Sequence, residues 1–413
     1  MGRWRQLLLT LIVLLIVSGS AFTAGVTVER SGFLPGSVRT QPTEVADQFG
    51  VFWQAWELVQ QRFVDRTVVD TRNMTYGAIE GMLAALGDNG HTRFLTPEEA
   101  TQQTSDIQGQ FQGIGAELGT KDGYPMIVAP LDGSPAQNAG IQAGDLLVAV
   151  DGEQVAGIPL DRVVRMVRGP EGTQVTLTIL HPGEVTPVEI TIVRAKIQVH
   201  PVSWTMIPGT KVAFLRISQF NANVNQELTD ALHGIRAAGA EGIVLDVRSN
   251  TGGLLDQCVF ATSQFLKGGD VLIEQDARGN RKTIQAQSGG LATDIPLVVM
   301  INQGTASAAE ILAGAIQDNE RGKLVGETTF GTGTVLSTFQ LSDGSALLLG
   351  TSQWLTPKGR QIWKQGIEPD VEVPTTAGMT LLSPRTVQDM SLDEIRSGRD
   401  PQLQKALEML GIR

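Results

Sequence analysis

Four short apolar runs between residues 199 and 376 constrain the fold more than any other feature of this chain. They lie at residues 212–217, 242–247, 297–301 and 323–326, and helical patterns occupy residues 224–238 and 306–318 between them. Each run has the length of a buried strand, and strands that alternate with helices form an α/β core. We therefore predict a mixed α/β domain over residues 197–376.

A different pattern, of short strands separated by glycine turns, covers residues 107–196. Its segments are GIGAEL at 113–118, SPAQNAGIQAGDLL at 134–147 with VDG at 150–152, and RGPEGT at 168–173 before the apolar run 175–180. Each segment alone is a weak signal, but together and in this order they resemble a PDZ domain. The resemblance predicts a β-rich domain here.

The first of these segments predicts a binding site for protein C-termini. In a PDZ domain, the successive N–H groups of Gly113, Ile114, Gly115 and Ala116 would hold a terminal carboxylate while the bound tail adds a strand to the sheet edge. A tight turn would by itself explain a lone Gly-x-Gly, but the neighbouring PDZ-like segments favour tail binding.

Ser307 is the candidate nucleophile of the α/β region. It lies in GTASAAEI at 304–311, which follows the apolar run 296–301 and opens a helical pattern. The same residues also form a capping-box pattern, in which the Ser307 hydroxyl and the Glu310 carboxylate bind free N–H groups at a helix start. The residues alone leave both interpretations, nucleophile and cap, open.

The region around Ser307 resembles the active site of the C-terminal processing (tail-specific) serine peptidases, family S41. That family pairs the serine with a lysine, and places a glutamine four residues after it, at positions that are Thr332 and Leu336 here. A serine hydroxyl needs a base to take its proton, and a lysine serves when burial lowers its pKa from about 10.4 toward 7. Threonine has no basic nitrogen and leucine has no polar group, so the general base is missing at its expected place.

The turn DVRSNTGGLL at 246–255 resembles the family's oxyanion-hole turn. The resemblance implies two N–H donors, one from Gly252 or Gly253 and the other from Ala308, the residue after the nucleophile. Glycines in a strand-to-loop turn that needs positive φ would look the same. A relocated base drawn from Lys323, Lys358 or Lys364 is an alternative that the spacing does not support.

The resemblance extends from about residue 44 to the end of the chain. It implies a crotonase-like mixed α/β peptidase core after the PDZ domain, an N-terminal helical region at 44–106, and a C-terminal tail with a helix at 377–413. We expect the aromatic stripe of the first helix, from Phe49 to Phe63, to be core. Residues 86–99 resemble the turn that precedes the PDZ domain, and we expect His91 there to be structural.

The N-terminus predicts a membrane anchor or a signal sequence at residues 1–28, followed by a Gly/Pro/Ser-rich linker at 29–43. Arg3 and Arg5 precede an apolar stretch from Leu7 to Val17, and no charge follows before residue 29. The uncharged stretch that reaches Val28 is just long enough to span a bilayer, and the positive end of the chain would stay in the cytoplasm. The rest of the chain would then be extracytoplasmic.

Composition argues against nucleic acid as a partner and against an internal disulfide. A net charge of −11 argues against nucleic acid, since phosphate binding needs clustered Lys and Arg. Cys258 is the single cysteine, so the chain has no internal disulfide, and its apolar surroundings indicate a buried inert thiol. The four histidines are scattered, and we predict neither a metal nor a cofactor.

Three functional hypotheses follow. The first is a serine endopeptidase that binds proteins with apolar C-terminal tails and cuts them with Ser307. The second is a tail-binding or scaffold protein that does not cut, because the base is missing. The third, from the non-catalytic relatives of this fold, is a carrier of an apolar ligand.

Overall fold

The computed structural model describes residues 43–412, apart from residues 89–91, 122, 132, 376–378, 380 and 399. They form two compact units, one up to Thr75 and one from Tyr76. The predicted anchor, most of the predicted linker and His91 lie outside the described residues. None of the helices in the described part has the length and apolarity that a membrane span requires.

The first unit contains helix α1 (Thr43–Arg62), a 3-10 turn (Arg66–Val68) and the start of helix α2 (Thr71–Ala84). The prediction that its aromatic stripe is core is wrong. Phe49 and Trp53 are 45% and 52% exposed, and the rings of Phe52 and Trp53 pack edge-on at 5.2 Å. Helical spacing identifies one face of a helix, and it does not specify what covers that face.

The β-rich domain is a sheet with strand order β3-β4-β5-β7-β8, in which β6 pairs with β5. Its apolar side chains alternate along each strand, as in β7, where Val175, Leu177 and Ile179 are buried. Strand β1 (Arg93–Leu95) and helix α3 (Pro97–Ile107) precede the domain. Strands β2 (Gln110–Gly113) and β9 (Ala195–Gln198) pair where the chain enters and leaves it. The other elements are β3 (Ala116–Lys121), β4 (Tyr124–Pro130), α4 (Pro135–Asn138), β5 (Leu146–Val150), β6 (Glu153–Gln154), α5 (Leu160–Val167), β7 (Gln174–Leu180) and β8 (Val188–Val193).

The α/β core is built on a second sheet, in which all neighbours except β10 and β11 are parallel. Its strands, in sheet order, are β10 (Val202–Met206), β11 (Val212–Ile217), β12 (Gly242–Asp246), β15 (Leu297–Ile301), β16 (Lys323–Gly326) and β19 (Val371–Glu372). Four of these are the apolar runs on which the α/β prediction rested, and the mixed α/β fold is confirmed.

Alternate residues of these strands face two separate cores. Leu215, Leu245 and Val299 pack with helices α6 (Val224–Ala237), α7 (Leu255–Ser263) and α8 (Ala308–Asp318). Phe214 and Val244 pack with the C-terminal segment, which has three helices where the sequence predicted one: α9 (Pro384–Val387), α10 (Leu392–Ser397) and α11 (Pro401–Met409). The first two are too short for a periodic pattern to show.

A third sheet was not predicted. Strands β13 (Asp270–Asp276), β14 (Arg281–Gln285), β17 (Thr334–Gln340) and β18 (Ala346–Leu355) form it together with β1. Strand β17 exposes apolar Leu336 and Phe339, contrary to the alternation that marks a half-buried strand, and β1 pairs with β18 far away in sequence. This sheet carries Leu336 and places the loop of Thr332 beside the parallel sheet.

Candidate active site

Ser307 stands at a strained turn between strand β15 and helix α8. Its backbone has φ +54° and ψ −120°, although the N-cap serine of an ordinary helix start has an extended backbone. A positive φ is uncommon for a residue with a side chain and is found where the surrounding fold enforces it, often at functional sites. A sharp strand-to-helix turn is also how α/β enzymes present a nucleophilic serine. The backbone therefore favours the nucleophile interpretation over a simple cap.

The Glu310 carboxylate binds this turn to the loop of Thr332. It accepts the N–H of Ser307 at 2.8 Å, the capping-box contact that the sequence predicted. It also accepts the Thr329 hydroxyl at 2.5 Å and the N–H groups of Gly331 at 2.6 Å and Thr332 at 2.9 Å. Burial raises the pKa of Glu310, and these hydrogen bonds oppose the shift. One buried carboxylate thus fixes the spacing between the serine and the base position.

The loop of Thr332 keeps a tightly packed backbone. Gly333 has φ +55°, and a Cβ there would lie 2.1 Å from the N atom of Trp363. Thr332 is buried, at 3% exposure, whereas Leu336 on β17 is 38% exposed. Glu310 therefore joins the loop of residue 332 to the Ser307 turn, but the Thr332 side chain has no basic nitrogen that could take a proton, and Leu336 adds no polar group.

The side chains of the three candidate replacement lysines each interact with another side chain. Lys323 Nζ donates to Asp370 at 2.8 Å, a bond that raises the pKa of Lys323, whereas a general base needs a lowered pKa. Lys358 Nζ lies 3.4 Å from a Glu320 oxygen. Lys364 Nζ lies 4.5 Å from the centre of the Trp363 ring. The N–H of Lys364 donates to the carbonyl of Gly331 at 2.8 Å, so the backbone of Lys364 lies beside the loop of Thr332.

The turn after β12 lies against Ser307. A Cβ on Gly252 would meet the Cβ of Ser307 at 2.7 Å and the N atom of Ala308 at 2.9 Å, so only glycine permits this approach. The N–H of Gly252 donates to the side chain of Asn250 at 2.8 Å. Within the described residues, the N–H groups of Gly253 and Ala308 have no partner. Of the two glycines the sequence proposed, Gly253 is the free donor.

Cys258 lies beneath the nucleophile turn. Its thiol donates to the carbonyl oxygen of Ala308 at 2.9 Å, and burial raises its pKa to about 12. The prediction of a buried thiol is confirmed. His181 and His200 bind Asp145 and Glu227, and among the described residues no cluster of metal-ligating side chains occurs.

A buried ionic network supports the turn after β12. The sequence did not indicate this network. Arg248 is fully buried and binds Asp246 at 2.9 Å and Asp400, the N-cap of α11, at 2.8 Å. Burial opposes charge on Asp246, but Arg248 and Arg216 outweigh it and hold the pKa of Asp246 below its usual range. The network ties the C-terminal segment to the strand that carries the turn. Asp400 is far from Arg248 in sequence, so no local motif indicates the contact.

The predicted carboxylate loop lies at the end of β2 and the start of β3, an edge strand. Gly115 has φ +74°, and a Cβ there would meet the Cβ of Ser134 at 2.5 Å. The carbonyls of Ile114 and Gly115 accept N–H groups of Ala136 and Leu131, each at 2.8 Å, but their own N–H groups have no partner in the described part of the chain. Free donors beside the open edge of a strand are what a bound tail would use.

Comparisons with known proteins identify both predicted domains. Residues 211–373 match peptidase family S41, and residues 126–180 match the PDZ domain. The carboxyl-terminal-processing protease of a Synechocystis species is 40% identical over 352 residues, which cover 84% of this chain and 82% of the relative. The carboxy-terminal processing protease CtpA of Bacillus subtilis is 35% identical over 382 residues, covering 92% and 80%.

Solved structures give the same result. A photosystem II D1 C-terminal processing protease has a TM-score of 0.50 at 32% identity, covering 78% of this chain and 92% of that one. A putative S41 protease from Bacteroides fragilis has a TM-score of 0.55 at 17% identity, covering 87% and 97%, and supports the fold alone.

Proposed function

The chain belongs to peptidase family S41, and we propose that it binds protein C-terminal tails through its PDZ domain and holds them at a Ser307 site whose turnover is at most residual. It is a serine peptidase by family, with the PDZ domain and α/β core of the processing proteases. The observation that carries the proposal is Thr332, a buried side chain without a basic nitrogen at the position of the general base.

The chemistry of the pair sets the size of the expected loss. A positioned general base contributes about 10²–10⁴-fold to rate. When the nucleophile system of a serine peptidase is damaged, the oxyanion hole and substrate binding still leave about 10³–10⁴-fold over water. Gly253 and Ala308 supply free N–H donors, so slow residual cleavage is compatible with the site. Efficient cleavage is not.

A second candidate, an active peptidase, is favoured by one specific observation. The strained backbone of Ser307, at φ +54°, is the conformation expected of a nucleophile, and the adjacent N–H of Ala308 is free. A substrate group or a bound water would then have to assist the removal of the proton from Ser307.

The experiment that separates these functions uses the purified parent and Ser307→Ala with a fluorescent peptide that ends in apolar residues. We expect equal Kd for both proteins and no products above the Ser307→Ala background. The matched control is the same peptide with an amidated C-terminus, for which we expect Kd to rise about tenfold or more, a difference of about 1.4 kcal/mol. Cleavage by the parent that Ser307→Ala abolishes would establish the active peptidase, and equal binding of the amidated peptide would exclude carboxylate recognition.

We also propose that the protein acts outside the cytoplasm and is attached to the cytoplasmic membrane. Arg3 and Arg5, followed by an uncharged stretch, support this orientation. Fractionation of cells and protease treatment of spheroplasts test it. Recovery of the protein in membranes, with its C-terminal part accessible from outside, is expected, and a soluble protein protected inside the cell would contradict it.

A further inference from the structure

Asn250 is the buried side chain at the centre of the turn that faces Ser307. It is fully buried, and it makes hydrogen bonds with three parts of the site. Its side-chain oxygen accepts the N–H of Gly252 at 2.8 Å, and its side-chain amide donates to the carbonyl of Ile217, the last residue of β11, at 2.9 Å. Its own carbonyl accepts the N–H of Ala306 at 2.9 Å. One residue thus connects a core strand, the glycine turn and the nucleophile segment.

The two glycines that follow Asn250 differ in what their N–H groups do. The N–H of Gly252 is already bonded to Asn250, so it is not available to a developing oxyanion. The N–H of Gly253 has no partner among the described residues, and Gly253 is exposed. The backbone of Phe220 holds the segment on both sides, because it donates to the carbonyl of Gly252 at 2.8 Å and accepts from Leu254 at 2.7 Å.

We infer that Asn250 is a positioning residue that assigns the oxyanion donors of this site. By binding the N–H of Gly252, it turns that peptide away from Ser307 and leaves the N–H groups of Gly253 and Ala308 as the pair that faces the reacting carbonyl. An oxyanion hole depends on donors that are held in place before the reaction, and the loss of one donor typically costs about 10²–10³-fold in kcat. The assignment deepens the proposed function and rests on it only for its kinetic consequence.

The direct test is amide exchange, which needs no turnover. In protein labelled with ¹⁵N-glycine, NMR should show a slow exchange rate for Gly252 and a fast one for Gly253. Asn250→Ala should raise the exchange rate of Gly252 about tenfold, as expected for the loss of one hydrogen bond. Asn319→Ala is the matched control, since this amide binds the carbonyls of Asp270 and Ala315 away from the turn. Equal exchange of the two glycines in the parent would overturn the assignment.

A conservative variant separates positioning from general destabilisation. Asn250→Asp keeps the oxygen that accepts the Gly252 N–H, but it places a second oxygen against the carbonyl of Ile217 and so destabilises the fold. Gly252 should stay protected in Asn250→Asp and lose protection in Asn250→Ala. If both variants expose Gly252 equally, the side-chain oxygen does not hold it, and the inference is wrong.

A kinetic experiment uses the double variant Thr332→Lys with Leu336→Gln as its starting protein. Adding Asn250→Ala to it should lower kcat about 10²–10³-fold and leave KM within about twofold, because the donors act mainly on the transition state. An equal loss from Asn319→Ala would contradict the positioning role. Failure of the double variant to cleave at all would show that the site lacks more than its base, and the exchange experiment would still decide the role of Asn250.

Discussion

The nucleophile half of the site, residues 249–253 and 304–310, and the base half, residues 329–336, differ in what they retain. The nucleophile half has its serine on a strained turn and two free N–H donors. The base half has a loop fixed by Glu310 and Trp363, but it presents Thr332. The backbone of the loop is therefore held by the Glu310 carboxylate and by packing against Trp363, and not by the side chain of residue 332.

Both halves depend on buried carboxylates. Glu310 joins them through backbone N–H groups and the Thr329 hydroxyl, and Asp246 and Asp400 bind Arg248 next to the glycine turn. Substitutions of these carboxylates should therefore affect folding, whereas substitutions at Thr332 and Leu336 should affect chemistry.

The largest expected effect on stability is that of Asp400→Ala. This substitution leaves Arg248 buried with one partner fewer, and removing one member of a buried ion pair costs about 3–5 kcal/mol. Urea unfolding of the parent and the variant measures the difference. Asp393→Ala is the control in the same C-terminal segment, because Asp393 is 96% exposed and its pairing is weak. Equal losses from both substitutions would show that the network does not support the nucleophile half.

A smaller effect is expected for Glu310→Gln, which acts on the link between the halves. The new NH₂ group would face N–H donors at Ser307 or Gly331, and leaving buried groups unsatisfied costs about 1–3 kcal/mol. Denaturant unfolding at several pH values measures it.

The pH dependence of that difference follows from the raised pKa of Glu310. The folded protein holds this proton more tightly than the unfolded chain, so the contribution to stability is complete below the ordinary pKa of 4.5 and is lost as pH rises through the folded pKa. The parent's advantage over Glu310→Gln should therefore shrink as pH rises. The contribution of Glu394 to stability depends on pH in the opposite direction. Its hydrogen bonds to Ser391 lower its pKa, so this contribution is lost as pH falls. Matching trends for both glutamates would contradict this account.

The smallest expected effect is a gain. Ser307→Gly should stabilise the protein by up to about 1 kcal/mol, because glycine adopts positive φ without strain. Ser391 caps α10 with φ −79°, and Ser391→Gly should cost a few tenths of a kcal/mol. Thermal unfolding of both variants measures the two signs. A loss at Ser307 as well would mean that the serine acts as a structural cap.

The sequence predicted the fold and marked the turns of the candidate site where local pattern carries the information. The four apolar runs correspond to strands β11, β12, β15 and β16 of the parallel sheet. The motifs around Gly115, Gly252 and Ser307 correspond to turns with positive φ. The contacts of Arg248 with Asp400 and of Glu310 with Thr332 join distant segments, so no local pattern contains them. The aromatic stripe of α1 failed as a core prediction because periodicity identifies a face and not its partner.

The contrast between the halves is tested most directly by restoring the base. Thr332→Lys with Leu336→Gln should place a lysine on a loop that Glu310 already holds, and cleavage of an apolar-tailed peptide should rise about 10²–10⁴-fold over the parent. The gain should disappear when Ser307→Ala is added. A folded double variant that cleaves no faster than the parent would show that the site lacks more than its base, and the account of an otherwise assembled site would be wrong.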